Sequence, residues 1–174
     1  LPIFRLPYTL GLSSGASLGV GIIIVTGVSI PFLGRLTMPI VGFTCSLVTM
    51  VIVLKFSQKV DKGFSNTTII LAGMVLSLFF SATLTTISAL ASDKMQSITM
   101  WSMGSFSMKG WSYVKAGLPF FIIGLLGVSF YFKEMDVLTF GEDEAKAIGV
   151  DTNKVKRRLF LFVAVLTGSA VALS

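Results

Sequence analysis

Long runs without a charged side chain constrain this chain more than any other feature. Five apolar stretches, roughly 8–28, 36–54, 67–91, 116–132 and 158–174, carry charge only at their ends. Bilayer hydrocarbon is ~30 Å thick and a helix rises ~1.5 Å per residue, so about 20 apolar residues cross it. No water reaches that layer, so each backbone N–H and C=O must be satisfied internally. Runs of this length achieve that as helices rather than as barrel strands. The expected fold class is an all-α polytopic membrane protein, a helical bundle of about five transmembrane helices. Charged residues make up 13% of the chain, about half the ~25% usual in soluble domains. The third stretch, from Thr67 to Ala91, is long enough to cross with some tilt.

The net charge of +6 sits in short clusters beside apolar runs. Membrane topology produces that arrangement, and no nucleic-acid partner is expected. Alternate connections must fall on opposite sides of the bilayer. One side holds Arg5, Lys55, Lys59, Lys62, Lys133, Lys146, Lys154, Lys156, Arg157 and Arg158, ten cations. The other holds Arg35, Lys94, Lys109 and Lys115, four. The positive-inside rule makes the first side cytoplasmic.

The equipment of an aqueous enzyme is missing. There is no histidine, the single cysteine Cys45 lies inside an apolar run, and no G-x-x-x-x-G-K-[ST] phosphate loop is present. No catalytic residue, metal site or cofactor is expected. Met95, Met100, Met103 and Met108 read as soft packing residues, and Trp101, Trp111 and Tyr113 suit an interface. Residue 1 is Leu and the chain stops at Ser174 within an apolar run. It is expected to be an internal piece of a longer chain, forming one membrane domain over 1–174.

Two segments carry more specific patterns. Gly11, Gly15 and Gly19 recur every four residues, a small-residue stripe that lets a neighbouring helix approach closely. In 138–150, Glu142, Asp143 and Glu144 cluster where a short helix would start, and Gly149 stands where one would end. Leu138, Ala145 and Ile148 could line one side of that element. Too short to span, and apolar on one side, it suits a cytoplasmic surface that docks another protein.

With these segments in view, the chain resembles a known permease family. Leu10-Gly11-Leu12-Ser13-Ser14-Gly15-Ala16, Leu71-Ala72-Gly73, Trp101-Ser102-Met103-Gly104-Ser105, Gly141-Glu142 through Ala145 with Ile148-Gly149, and Leu166-Thr167-Gly168-Ser169-Ala170-Val171-Ala172 follow one another in order. They are similar to successive motifs in the membrane subunits of type II ABC importers for siderophores, haem and vitamin B12. An Asn-Pro-containing loop usual ahead of the first motif is replaced by Ile3-Phe4-Arg5 running almost directly into Leu6-Pro7-Tyr8.

The resemblance implies a parent of about ten spans in the bacterial cytoplasmic (inner) membrane, paired with a second permease copy or a paralogue. It also implies two ATPase subunits, an extracytoplasmic substrate-binding protein and iron chelates, haem or cobalamin as cargo. Gly141, Glu142, Glu144, Ala145, Ile148 and Gly149 then resemble the segment that couples to the ATPase. Ser65, Asn66 and Thr67 resemble a cytoplasmic gate at the mouth of the pathway helix. Arg35, Lys94 and Lys109 are candidates for the binding-protein dock. The permease itself would hydrolyse nothing. An ion-gradient-driven secondary transporter is the alternative, opposed by the lack of ionisable side chains at the centres of the five stretches. A membrane scaffold without transport is a third class.

Overall fold

A computed structural model describes residues 11–27, 37–61, 65–104 and 111–173. Among these residues the chain is helical, with no strand. In chain order the helices are α1 (Leu12–Thr26), α2 (Thr37–Val60), α3 (Asn66–Leu90), α4 (Met95–Met103), α5 (Trp111–Ser129), α6 (Phe132–Thr139), α7 (Glu142–Ala147) and α8 (Thr152–Leu173).

Local chemistry explains the boundaries. Gly11 (φ 72°) and Gly27 (φ 66°) bracket α1 in the left-handed region, and the Gly27 N–H closes on the Ile23 carbonyl at 2.9 Å. Ser65 caps α3: its hydroxyl accepts from the Thr68 N–H at 3.3 Å, satisfying one of the orphan donors of the first turn. Asp61 extends the cap, its Oδ2 accepting from the Ser65 N–H at 3.1 Å and the Thr68 hydroxyl at 3.3 Å. Ser65→Ala should therefore cost about 1 kcal/mol of stability, read as a lowered midpoint of thermal unfolding in detergent. Asp151 caps α8 through Oδ1, which accepts from the Lys154 N–H at 3.1 Å.

Two of the apolar stretches emerge as helices long and apolar enough to cross a membrane by length and composition, Thr37–Val60 and Asn66–Leu90. The fourth becomes a broken pair, Gly117–Ser129 and Phe132–Thr139, bent by 52°. The first is described as the shorter apolar helix Leu12–Thr26. The last starts earlier than its apolar run, at Thr152. Its first turns carry Lys154, Lys156, Arg157 and Arg158, so the helix is amphipathic at one end and apolar at the other. Likewise α2 runs past residue 54 to Val60, with Lys55 and Lys59 at the end where long stems can carry charge outward. Between α3 and α5 lies the short helix α4, whose last turn is closed by the Gly104 N–H on the Trp101 carbonyl at 3.1 Å.

Side-chain neighbours fix the directions. Gly11 lies against Gly73 and Ser77 of α3 while Gly21 lies against Leu84, so α1 and α3 run parallel. Gly15 meets Thr49 and Gly19 meets Cys45, so α2 runs against α1. Gly124 meets Leu166 and Gly127 meets Phe162, making α5 antiparallel to α8, and Gly168 meets Ser46 and Phe43 of α2. Thus α1, α3 and α8 point one way, and α2 and α5 the other. That is the alternation expected of successive crossings.

The core divides in two. Leu12, Met50, Val53, Leu54, Ile69, Ala72, Phe160 and Ala164 join α1, α2, α3 and α8. Val128, Met135, Val155 and Leu159 join α5, α6 and α8. Outside these clusters, large apolar side chains stay exposed, among them Leu71, Val75, Leu78 and Phe79 on α3 and Leu118, Ile123, Leu125 and Leu126 on α5. Such faces suit lipid or a protein neighbour rather than water.

Candidate coupling element and pathway helix

At the end of the bundle where α2 and α5 finish and α3 and α8 begin, the chain gathers the loop-side features. These are Asp61, the α3 cap and the α6–α7 segment. The segment 138–150 is helical as expected, but the six-residue α7 is preceded by a separate helix, α6. Gly141 (φ 130°) starts α7, and the Ala145 N–H donates to the Gly141 carbonyl at 3.1 Å. The side chains of Glu142 and Asp143 lie outside the described residues; Glu144 is exposed, with its carboxylate against Gly141.

Gly149 (φ 88°) ends the element with paired bonds. The Val150 N–H reaches the Ala145 carbonyl and the Gly149 N–H the Lys146 carbonyl, both at 3.0 Å. This is the Schellman arrangement, which needs a left-handed residue at the position of Gly149. The expectation that Leu138, Ala145 and Ile148 share one side is corrected. Ala145 is fully buried, whereas Ile148 is 68% exposed. Ile148 is the C-cap, where the turn leaves helical periodicity, so spacing no longer sets its direction. Phe140, 79% exposed, flanks the other end of α7.

The residues of the expected gate sit at the first turn of α3. Ser65 turns inward to Thr68 at 2.8 Å between hydroxyls, while Asn66 and Thr67 are exposed. Asp61 and Thr68, absent from the sequence reading, hold this turn. The signal was present in Ser65-x-x-Thr68 with an acid four residues ahead. Further along, Ser14 Oγ and Ser77 Oγ are 3.1 Å apart, tying α1 to α3 beside Gly11. At the opposite end an open cleft of about 360 Å³ separates α3 from α4, lined by Leu84, Thr85, Ser88, Ala89, Met95, Ile98, Thr99 and Ser102. Its lining is uncharged and mixes hydroxyls with apolar carbons.

Lys94 precedes α4 at that same end, exposed, and its N–H donates to the Ala91 carbonyl at 2.9 Å. Arg35 and Lys109 lie outside the described residues. Trp101 packs beside Gly42 near the start of α2, and Trp111 is 80% exposed. Facing the other way, the Asp151 carboxyl is held below the usual carboxylate range by the hydrogen bond from the Lys154 side chain, whose Nζ lies 2.8 Å from Oδ2. Both side chains are exposed, so the pair adds little to stability.

An all-helical bundle with alternating helix directions and a short helix pair at one end has the architecture of a polytopic membrane protein. The chain belongs to the FecCD transport family, whose model matches residues 4–174. It is 42% identical over 168 residues to an uncharacterized ABC transporter permease protein of Bacillus subtilis (strain 168), covering 97% of this chain and 48% of that protein. It is 35% identical over 174 residues to the hemin transport system permease protein of Yersinia pestis, covering 97% and 50%. A cobalamin import system permease protein of Halobacterium salinarum is 28% identical over 167 residues, covering 95% and 44%. Among solved structures, an inward-facing ABC transporter assigned to the metal-chelate type superposes with a TM-score of 0.78 at 29% identity, covering 97% of this chain and 52% of that one. The chain spans about half the length of the relatives it matches.

Proposed function

We propose that this chain belongs to the permease subunit of an ATP-binding-cassette importer that carries iron chelates, haem or cobalamin across the bacterial cytoplasmic membrane. The observation that carries this reading is the family match over residues 4–174. Relatives named for hemin and cobalamin transport support the cargo class. Work is supplied by a pair of partner ATPase subunits, and the permease hydrolyses nothing itself. Cargo arrives on an extracytoplasmic binding protein, for which Lys94, with Arg35 and Lys109, offers cationic docking points. A second permease copy or a paralogue completes the pathway.

The site residues follow from position and chemistry. The 141–149 element receives the movement of the ATPase, through exposed Phe140 and Ile148 at its ends and the acidic start at Glu142 and Glu144. Ser65, Asn66 and Thr67 form the cytoplasmic gate on α3. The uncharged, hydroxyl-rich surface of α3 suits a bulky chelate that slides without tight binding. Gly11, Gly15 and Gly19 keep α1 close to its neighbours and carry no cargo contact.

Proteoliposomes holding the full-length protein, its ATPase and its binding protein test the reading directly. Radiolabelled ferric hydroxamate, haemin or cyanocobalamin should accumulate when ATP is supplied and remain insensitive to a protonophore. Accumulation driven by a proton gradient without ATP would replace this reading with secondary transport.

A further inference from the structure

The bend between α5 and α6 has no glycine or proline at its corner, which is Phe130-Tyr131. Ser129, directly before it, donates its hydroxyl to the Leu125 carbonyl at 2.8 Å, a back-bond that lets a helix bend but leaves the angle to what the corner touches. The backbone tightens there: the Tyr131 N–H donates to the Val128 carbonyl at 3.0 Å, and the Met135 N–H restarts the next helix on the Tyr131 carbonyl at 2.9 Å. Tyr131 therefore belongs to both helices. Its ring lies 6.2 Å from that of Phe162 on α8, and its hydroxyl accepts from Arg158 Nη1 at 2.9 Å. Met135 on α6 is buried in the same cluster as Val155 and Leu159 of α8.

We infer that Tyr131 and Arg158 are positioning residues: their hydrogen bond sets the angle of the α5–α6 bend and so the orientation of α6 and α7 against α8. The inference rests on the proposed coupling role of the 141–149 element. The physical argument is leverage. α6 and α7 form a short arm held at both ends, by the corner at Tyr131 and by the 148–151 connection to α8, so an angular change at Tyr131 turns the arm about that connection. Apolar contacts at Met135 hold α6 near α8 without direction. A charged donor fixed to one phenolic oxygen adds the direction.

The test uses Tyr131→Phe, which keeps the ring contact with Phe162 and deletes only the acceptor. Two readouts separate this inference from the importer reading. In the reconstituted complex, cargo moved per ATP hydrolysed should fall roughly 2- to 3-fold, the lower end of what one hydrogen bond contributes because this one is exposed, while the ATPase stays bound. Arg158→Gln should give a similar loss, the double variant no more than either, and Arg158→Lys a partial return. In the full-length permease alone, spin labels on Leu118→Cys and Asp136→Cys in a Cys45→Ser background should report a narrow distance distribution that Tyr131→Phe broadens. An unchanged distribution, or additive losses in the double variant, overturns the inference. Failure of wild type to bind any ATPase sinks the importer reading instead, and leaves the spin-label result to decide on the bend.

Discussion

The full-length protein lacking residues 141–149 is expected to insert in the membrane and to lose ATP-driven uptake to background, with the ATPase no longer copurifying. Among its described side chains the deleted element buries one, Ala145. The two core clusters lie wholly outside it. Its removal thus spares the bundle while taking away the surface held out between exposed Phe140 and Ile148. Point variants guard against a merely damaged loop. Ile148→Asp changes a side chain that is 68% exposed, so thermal stability should stay within about 0.5 kcal/mol. Burying that aspartate against a partner should weaken ATPase binding by roughly 2 kcal/mol, about 30-fold. Glu142→Arg adds a cation at the positive end of α7 and should act in the same direction. Wild-type pull-down and uptake from Ile148→Asp would remove the element from the coupling role.

The contact between α1 and α2 supplies the second large effect. A Cβ on Gly15 would run into the Thr49 side chain, and one on Gly19 into Cys45. Thr49 cannot swing far, since its hydroxyl already donates to the Cys45 carbonyl at 2.8 Å, and Cys45 meets the Gly19 position with its Cβ as well as its sulfur. Gly15→Val should cost about 3 kcal/mol or more through overpacking at a fully packed helix pair. The expected result is loss of folded protein in detergent by size-exclusion chromatography. Thr49→Ala in the same chain should restore part of the yield, because the clash is with that side chain. Gly27→Ala provides the contrast: nothing stands within 4 Å, and only its φ of 66° resists, at about 1–2 kcal/mol. Equal losses from both would mean that close approach is not what Gly15 supplies.

Much of the fold was legible because the bilayer writes in long runs. The stretch from Thr67 to Ala91 returns as α3 with each end shifted by one residue, since no charged residue interrupts it and Ser65 announces the start. Polar continuations blurred the rest: α8 begins at Thr152, where a hydropathy reading sees only a cationic loop. The bend at Phe130-Tyr131 left only a weak local signal, Gly127 and Ser129 just ahead of it, with the Ser129 hydroxyl on the Leu125 carbonyl at 2.8 Å. It depends on Arg158, 27 positions away. The glycine stripe was legible as a stripe, but not its division of labour, with Gly11 on α3 and Gly15 and Gly19 on α2. Gly149 was readable as a terminus, while the outward turn of Ile148 arises from the Schellman geometry itself.

A helix meeting its neighbour glycine to threonine is also locked in phase. One residue inserted or removed within α1 would rotate everything beyond it by about 100°, swinging Gly19 away from Cys45 and presenting a bulkier side chain in its place. Length changes over the evolution of such a chain are therefore confined to its connections, while α1 drifts by substitution alone. The pairs 15 with 49 and 19 with 45 are where gains in volume on one helix would need matching losses on the other.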